Sequence, residues 1–184
     1  SNGADEVYAA DLDGDSDADI LTASQFDDTI SYFENRINEG FGFPSETIVM
    51  PGARANGANE AIAADLNGDG ALDILTTSVN DGKLAWHEND GTRWFSPQKV
   101  ISTGAGEGVD AGDIDGDGDI DVVTTSFGGD TVSWHENTDG AGTFSAANVL
   151  SASVDGALSS YLADIDGDDD LDVLAVGQRD DTVY

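Results

Sequence analysis

The sequence predicts an all-β fold built from repeated units of roughly fifty residues. Three observations support this prediction: an acidic nonapeptide that occurs four times, short segments in which apolar and polar residues alternate, and clusters of turn-forming residues between those segments. Successive nonapeptides begin 54, 48 and 51 residues apart. Self-similarity at this period is typical of a solenoid, a propeller or an array. The nonapeptides span residues 11–19, 65–73, 113–121 and 164–172.

Each unit is predicted to contain short strands rich in Ile, Leu, Val and Thr. The first strand leads into the acidic loop, the second leaves it, the third carries an aromatic alternation, and a fourth follows after a longer connection. Four short antiparallel strands per unit are typical of a propeller blade, so we expect a β-propeller of about four blades. The predicted segments are 7–12, 62–66, 109–114 and 158–165; 20–23 and its equivalents; 30–35, 84–89 and 132–137; and 47–50, 99–101 and 148–150.

The chain is predicted to be one propeller segment over residues 1–184. Its repeats cover approximately 5–52, 58–103, 106–152 and 156–184, of which the last is incomplete. A fragment of a longer gene, a small four-bladed ring and two joined chains are the alternatives. An open arc of blades exposes apolar surface and strand edges. We therefore expect a homodimer in which each chain supplies half of a larger ring.

The nonapeptide has the chemistry of a loop that binds a hard cation. Oxygen-bearing side chains occupy positions 1, 3, 5 and 9, and glycine always occupies position 4. Carboxylates this close repel one another unless a positive charge lies among them. Oxygen ligands without His or Cys disfavour zinc, and magnesium demands a stricter octahedron, so calcium is predicted. An EF-hand is excluded because it needs a glutamate at position 12. That position here holds Thr22, Thr76, Thr124 or Ala175.

The motif Asp-x-Asp/Asn-Gly-Asp-Gly-x-x-Asp between two strands resembles the calcium loop of FG-GAP/VCBS repeats, the blades of integrin-α-like propellers. The resemblance covers essentially the whole chain and implies about four Ca²⁺ ions. It implies these side-chain ligands: Asp11, Asp13, Asp15 and Asp19; Asp65, Asn67, Asp69 and Asp73; Asp113, Asp115, Asp117 and Asp121; Asp164, Asp166, Asp168 and Asp172. The main-chain carbonyls expected to add a ligand at position 7 are those of Asp17, Ala71, Asp119 and Asp170. Ser16 and Asp169 replace the usual glycine at position 6, where we expect Asp169 to be strained or turned outward.

Composition limits the partners of this chain. The formal net charge is −32 with only six basic residues, so nucleic acid and anionic membranes are not expected as partners. Half of the acidity is local, because 19 of the 38 Asp and Glu residues lie in the nonapeptides. There is no cysteine, and no apolar run reaches the roughly 20 residues that span a bilayer. Calcium sites of modest affinity suit the outside of the cell, so an extracellular or cell-surface location is expected.

No catalytic constellation is visible, and we do not expect an enzyme. A glutamate recurs at the end of the third strand in three repeats, which favours an architectural role over a single catalytic site: Glu34, Glu88 and Glu136. His87 and His135 share their register with Phe33, which indicates packing or partial exposure and not a ligand or a base. Tyr32, Trp86 and Trp134 are expected to fill the space between blades, with sugar stacking as the alternative.

The predicted function is therefore a calcium-binding module for adhesion or for binding a protein or glycan ligand. The alternatives are a carbohydrate-binding lectin and the non-catalytic part of a larger secreted enzyme. The motif carries no information about which ligand is bound.

Overall fold

The computed structural model describes residues 4–43, 45–49, 55–92, 94–104 and 106–184. Within these ranges the chain forms fifteen strands in four antiparallel sheets, which are the four blades of a β-propeller. The prediction of an all-β propeller is confirmed. Blade 1 contains β1 (Ala4–Ala10), β2 (Asp19–Ser24), β3 (Thr29–Phe33) and β4 (Glu46–Ile48); blade 2 contains β5 (Ala58–Ala64), β6 (Asp73–Ser78), β7 (Lys83–His87) and β8 (Lys99–Thr103). Blade 3 contains β9 (Val109–Gly112), β10 (Asp121–Ser126), β11 (Thr131–His135) and β12 (Asn148–Ser151); blade 4 contains β13 (Ala157–Ala163), β14 (Asp172–Gly177) and β15 (Thr182–Val183).

The first strand of each blade ends two residues earlier than the sequence predicted. The reason is local, because the apolar residue at loop position 2 belongs to the loop and not to the strand ladder. Leu12, for example, donates its backbone N–H to Asp19 Oδ2 at 3.0 Å. Of the predicted fourth strand of blade 1, Met50 lies outside the described residues, as do residues 51–52 at the end of the first predicted repeat. The repeat boundaries themselves stay a prediction.

The hydrophobic core lies between the blades. Successive side chains of a strand point to opposite faces of the sheet, and in a propeller each face packs on a neighbouring blade. Apolar side chains therefore occur on both faces of the strands. Leu75 of β6, for example, pairs with Ile62 of β5 and with Trp86 of β7. Three core clusters result, one at each junction between successive blades.

The first strands of the four blades face a common open cleft. It has a volume of about 570 Å³ and is lined by residues of β1, β5, β9 and β13, which places these strands innermost. The described residues contain one helical segment, a 3₁₀ turn at Ile37–Glu39. No helix in the described part of the chain has the length and apolar character needed to cross a membrane.

Candidate metal centres in the acidic loops

The four acidic loops connect the first and second strands of the blades. Each loop leaves β1, β5, β9 or β13 and returns in β2, β6, β10 or β14, whose first residue is the aspartate at position 9. The predicted placement of the loop between the first two strands is confirmed.

The aspartate at position 1 organises the loop by accepting hydrogen bonds from its own backbone. Asp11 Oδ1 accepts the N–H of Gly14 at 2.8 Å, and Asp11 Oδ2 accepts the N–H of Ser16 at 2.9 Å. Asp113 makes the same bonds with the N–H groups of Gly116 and Gly118, at 2.8 and 3.0 Å. These hydrogen bonds within the loop curl the backbone around the carboxylate at position 1.

Positions 3 and 5 form Asx turns, in which a side-chain oxygen accepts the N–H two residues further on. Asp13 Oδ1 accepts the N–H of Asp15 at 3.2 Å, and Asp15 Oδ1 accepts the N–H of Asp17 at 2.9 Å. Because each turn holds one carboxylate oxygen of its aspartate, the side chains are fixed on the inside of the loop.

The aspartate at position 9 is buried beneath the loop in the first three blades, whereas Asp172 of blade 4 is exposed. Asp73 is 0 % exposed, and it accepts the N–H of Leu66 at 3.0 Å on Oδ2 and the N–H of Asn89 at 2.8 Å on Oδ1. Burial raises its pKa to about 6, against the lowering effect of these two donors. Burial likewise raises the pKa of Asp19 and that of Asp121. A positive ion would counter this cost, because a cation favours the charged carboxylate.

Three of the four loops bring carboxylates together as a metal site requires. In each of them one oxygen from three aspartates lies within 4.8 Å of the other two. The groups are Asp11, Asp13 and Asp15; Asp113, Asp115 and Asp121; and Asp164, Asp166 and Asp172. Oxygen donors at this separation fit a calcium-type cation.

The second loop is less acidic, since it carries Asn67 at position 3 and Ala71 at position 7. Asn67 Oδ1 accepts the N–H of Asp69 at 3.0 Å, and its Nδ2 donates to Asp69 Oδ2 at 3.1 Å. The amide therefore keeps the Asx turn of the other loops, but its Nδ2 occupies one oxygen of Asp69. This loop keeps its shape with fewer charged oxygens to offer.

The side chain at position 7 turns away from the centre in the first loop. Both carboxylate oxygens of Asp17 accept Asn38 Nδ2, at 2.7 and 2.5 Å. A carbonyl ligand from this position, as predicted for Asp17, Ala71, Asp119 and Asp170, leaves the side chain free for such a contact. These carbonyl ligands, and the full four-residue ligand sets, stay predictions.

Position 6 has a left-handed backbone in all four loops. The φ angles are 90° and 95° at Gly70 and Gly118, and 72° and 73° at Ser16 and Asp169. Asp169 is exposed, so its side chain points to solvent while its backbone carries the strain of a positive φ.

An asparagine that follows the third strand fastens each of the first three loops from below, and sequence reasoning missed this role. Asn89 is fully buried, and its Nδ2 donates to the Leu72 carbonyl of its own loop at 2.9 Å and to the Leu12 carbonyl of the preceding loop at 2.8 Å. Asn137 repeats the pattern with the carbonyls of Ile120 and Leu66, at 3.2 and 2.9 Å. The recurring Glu-Asn pair was the available signal, but only the fold shows that it joins neighbouring loops.

Two of the three repeated aromatic residues and both histidines are buried, whereas Trp134 is half-buried. Tyr32 and Trp86 are 3 % and 2 % exposed, and the Tyr32 hydroxyl lies 3.3 Å from Asp19 Oδ2. His87 and His135 are buried, and burial lowers the pKa of each. Nδ1 of His87 lies 3.1 Å from the Ser96 carbonyl, so it carries the proton in the neutral ring.

The inner cleft holds a second set of acidic groups. Glu60 Oε2 accepts the N–H of Val109 at 2.8 Å, and Asp110 Oδ2 accepts the N–H of Leu162 at 2.8 Å. Each carboxylate thereby bonds to the first strand of the following blade. Burial, reinforced by the charges of Glu6 and Asp110, raises the pKa of Glu60 to about 7.

Comparison with known proteins places these features in a family. The family profile described as FG-GAP-like repeat matches three overlapping segments, residues 11–76, 65–124 and 113–175. Each match begins at position 1 of an acidic loop and extends past the next one. No curated protein sequence matches the chain at a significant level.

One solved structure is similar in fold, and a second matches more weakly. One is a lectin of Agrocybe aegerita described as recognising non-reducing terminal N-acetylglucosamine, with a TM-score of 0.65 and 21 % sequence identity over 97 % of this chain and 50 % of that chain. The other is the biofilm matrix protein Bap1 of V. cholerae, with a TM-score of 0.47 and 20 % identity over 94 % of this chain and 34 % of that chain. The present chain thus spans 50 % of the length of the lectin chain and 34 % of the length of the Bap1 chain.

Proposed function

Because this chain belongs to the FG-GAP-like repeat family, we propose that it is a calcium-binding β-propeller module with structural calcium in its loops and a role in adhesion or ligand binding. The observation that carries the proposal is the convergence of three aspartate oxygens within 4.8 Å in three separate loops. Four ions per chain would bring the formal net charge from −32 to −24.

The protein's own groups prepare each loop for the ion. Backbone N–H groups hold the position 1 carboxylate in every loop, and Asx turns hold positions 3 and 5 in the first three loops. The position 9 aspartate, buried in those three loops, closes the loop by accepting the N–H of position 2. When bound, calcium supplies the positive charge that cancels the repulsion among these carboxylates. The metal role is therefore structural, and it stabilises the folded state because the unfolded chain has no preformed site.

Thermal unfolding in calcium and in EDTA tests this proposal. We expect calcium to raise the melting temperature, and isothermal titration to find about four ions per chain. In EDTA the Asp115→Ala variant should unfold at about the parent's temperature, because the lost repulsion offsets the lost 3.2 Å hydrogen bond from the Asp117 N–H. In calcium it should unfold earlier and bind one ion fewer.

Asp139→Asn is the matched control, because Asp139 lies outside the acidic loops and Asn retains the acceptor for the Ala141 N–H. This variant should show the parent's calcium response. A melting temperature that EDTA leaves unchanged would contradict the structural role of calcium.

The proposed module is non-catalytic and works at the cell surface or outside the cell. Most of its closely spaced carboxylates are committed to the loops, and extracellular calcium is abundant enough for sites of modest affinity. The immobilised chain should bind at least one extracellular protein or glycan in calcium and lose it in EDTA. Equal binding in calcium and in EDTA would show that ligand binding does not depend on the calcium sites, and would contradict this part of the proposal.

A lectin is the second candidate. Tyr32 and Trp86 are poor stacking platforms, since they are 3 % and 2 % exposed. Trp94 is 56 % exposed on the connection that leads to the last strand of blade 2. An exposed indole is suited to stacking on a sugar ring. Glycan-array binding that is lost in Trp94→Ala and retained in Trp86→Phe would favour this function. Absence of glycan binding by the parent chain would exclude it.

A further inference from the structure

We propose that the Asn67-Gly68 pair of the second acidic loop is a site of self-modification, at which the folded chain converts the Asn67 amide into a carboxylate through a cyclic imide. The second loop differs from the other three in having asparagine instead of aspartate at position 3. The conversion itself does not depend on calcium, whereas its effect on calcium binding rests on the proposed function.

The attacking atom in this reaction is the backbone nitrogen of Gly68, and its hydrogen bonding differs from that of the other loops. In those loops the position 4 glycine donates its N–H to the position 1 carboxylate: Gly14 to Asp11 at 2.8 Å, Gly116 to Asp113 at 2.8 Å and Gly167 to Asp164 at 2.7 Å. Asp65 accepts the N–H groups of Asp69 and Gly70, but no described group accepts the N–H of Gly68. Because Gly68 is also exposed and has no Cβ, its nitrogen is open to react.

The Asn67 amide is held on both sides by Asp69. Its Oδ1 accepts the N–H of Asp69 at 3.0 Å, so a donor already faces the oxygen on which negative charge develops when the amide carbon is attacked. Its Nδ2 donates to Asp69 Oδ2 at 3.1 Å. This second bond fixes which end of the amide faces the backbone donor, so that the oxygen and not the nitrogen is paired with it. The electrophile is therefore oriented and polarised by its own loop.

The reaction balances with water as the only co-reactant. The Gly68 nitrogen gives up its proton and bonds to Cγ of Asn67, the Cγ–Nδ2 bond breaks, and Nδ2 leaves with that proton as ammonia. Water then opens the imide at one of its two carbonyl carbons. Attack at Cγ restores the peptide bond and leaves an aspartate at position 67. Attack at the main-chain carbonyl carbon leaves an isoaspartate, in which the backbone runs through the former side chain.

The pair Asn56-Gly57 has the same two residues in the opposite environment. Gly57 is buried, and its N–H donates to Asp28 Oδ1 of the preceding blade at 2.8 Å. Attack by this nitrogen would first have to break a hydrogen bond to a charged group, which is stronger than a bond between neutral groups. The chain thus contains its own protected control. A third pair, Asn2-Gly3, lies outside the described residues.

The two products have opposite effects on the loop. An aspartate at position 67 gives the second loop carboxylates at positions 1, 3, 5 and 9, as in the other three loops, and removes the Nδ2 donor that engages Asp69 Oδ2. Calcium affinity of such loops depends on the number of charged ligands, so this product strengthens the ion site that has the fewest carboxylates. The isoaspartate adds a carbon to the backbone between positions 3 and 4. It thereby displaces the later ligands and weakens the site.

Peptide mapping by mass spectrometry measures the conversion at each pair during incubation of the 184-residue chain at neutral pH without added calcium, with circular dichroism as the check of folding. Asn67 should convert at least roughly tenfold faster than Asn56, the factor expected when Gly57 must first lose a hydrogen bond to a charged group. In urea the two rates should become similar. Asn67→Gln, whose longer side chain disfavours the ring, should show no conversion at position 67 and the parent's rate at Asn56. Equal rates in the folded chain, or slower conversion at Asn67, would overturn the inference.

Asn67→Asp supplies the aspartate product in pure form, and isothermal titration with calcium compares it with the parent. One site should bind several-fold more tightly in the variant, with the number of ions unchanged. Asn148→Asp is the matched control, because it adds the same charge at an exposed position of the outer strand β12, and it should leave every site as in the parent. Unchanged affinity in Asn67→Asp, when the parent binds calcium, would overturn the effect on the ion site. Absence of calcium binding by both proteins would instead contradict the proposed function and leave the self-modification standing.

Discussion

At the residue scale, each acidic loop needs a left-handed backbone at position 6, and two loops have a residue other than glycine there. Position 6 is left-handed in every loop, and glycine adopts this conformation without the steric cost that a Cβ imposes. Ser16 and Asp169 bear this cost, and Ser16 does so in a loop whose position 1 carboxylate accepts its N–H. The folded loop therefore contains strain that a single substitution can remove.

We expect Ser16→Gly to stabilise the protein by about 0.5–1 kcal/mol, the strain relieved less the extra freedom of glycine in the unfolded chain. Chemical denaturation in calcium measures the difference. The reverse change, Gly70→Ser, is the matched control, because a Cβ at Gly70 meets nothing within 4 Å and only the φ of 90° opposes it. The two variants should shift stability in opposite directions, and shifts of the same sign would contradict the strain argument.

Glu60 gives stability a pH dependence of its own. Its folded pKa of about 7 lies above its ordinary value of 4.5, so between these pH values the folded state holds a proton that the unfolded state has lost. Stability then falls as pH rises through this window. The groups that face Glu60 across the cleft and raise its pKa after burial are Glu6 of β1 and Asp110 of β9.

Glu60→Gln should remove this dependence while its side-chain oxygen still accepts the Val109 N–H. The difference in unfolding free energy between variant and parent should be near zero at pH 4.5 and grow to about 2–3 kcal/mol in favour of the variant above pH 7. Denaturation in calcium across this range provides the measurement. Parallel pH profiles for the two proteins would show that the cleft does not hold Glu60 protonated.

At the scale of elements, the asparagine after the third strand couples one acidic loop to the next. The Asn89 amide bonds a carbonyl of its own loop and a carbonyl of the preceding blade. Asn89 and Leu12 are buried, and Leu72 is half-buried. A buried carbonyl without a donor costs most of its desolvation free energy. The blades are therefore joined by polar groups as well as by the apolar core.

Asn89→Ala should destabilise the protein by about 2–4 kcal/mol, because it leaves the buried carbonyl of Leu12 and the half-buried carbonyl of Leu72 without this donor. Asn35→Ala is the control at the same register, and it should cost about 1 kcal/mol, since Asn35 makes one such bond in the described chain. Urea denaturation of both variants compares them. Equal losses would mean that the bond across the junction adds nothing.

Strands and loops were predictable from local patterns, whereas the junctions were not. Alternating apolar residues predicted the strands, and the spacing of aspartates and glycines predicted where the loops lie, because both depend on residues within about ten positions. The Leu12–Asn89 bond joins residues 77 positions apart, and the carboxylate of Asp110 meets Leu162 across 52 positions. Such contacts depend on how blades stack. For the same reason the repeated Glu-Asn pair suggested architecture without revealing its partners.

At the scale of the whole molecule, the balance of charge sets the conditions under which the propeller holds together. The formal net charge is −32, and half of the acidic residues are confined to four loops on 36 residues of chain. Self-repulsion of this size opposes the compact state. Either bound cations or dissolved salt can reduce it, but bound cations act inside the loops, where screening by mobile ions is weaker.

This difference predicts unequal salt effects with and without calcium. In EDTA, the melting temperature should rise strongly as salt increases from about 0.01 M to about 1 M, because the Debye length falls from about 30 Å to about 3 Å and screens the repulsion between loops. In saturating calcium the same titration should have a smaller effect, since the ions already neutralise the nearest charges. Sodium chloride titrations followed by circular dichroism measure both slopes, with choline chloride as a control for specific sodium binding. Equal slopes in the two series would show that calcium does not relieve the repulsion within the loops.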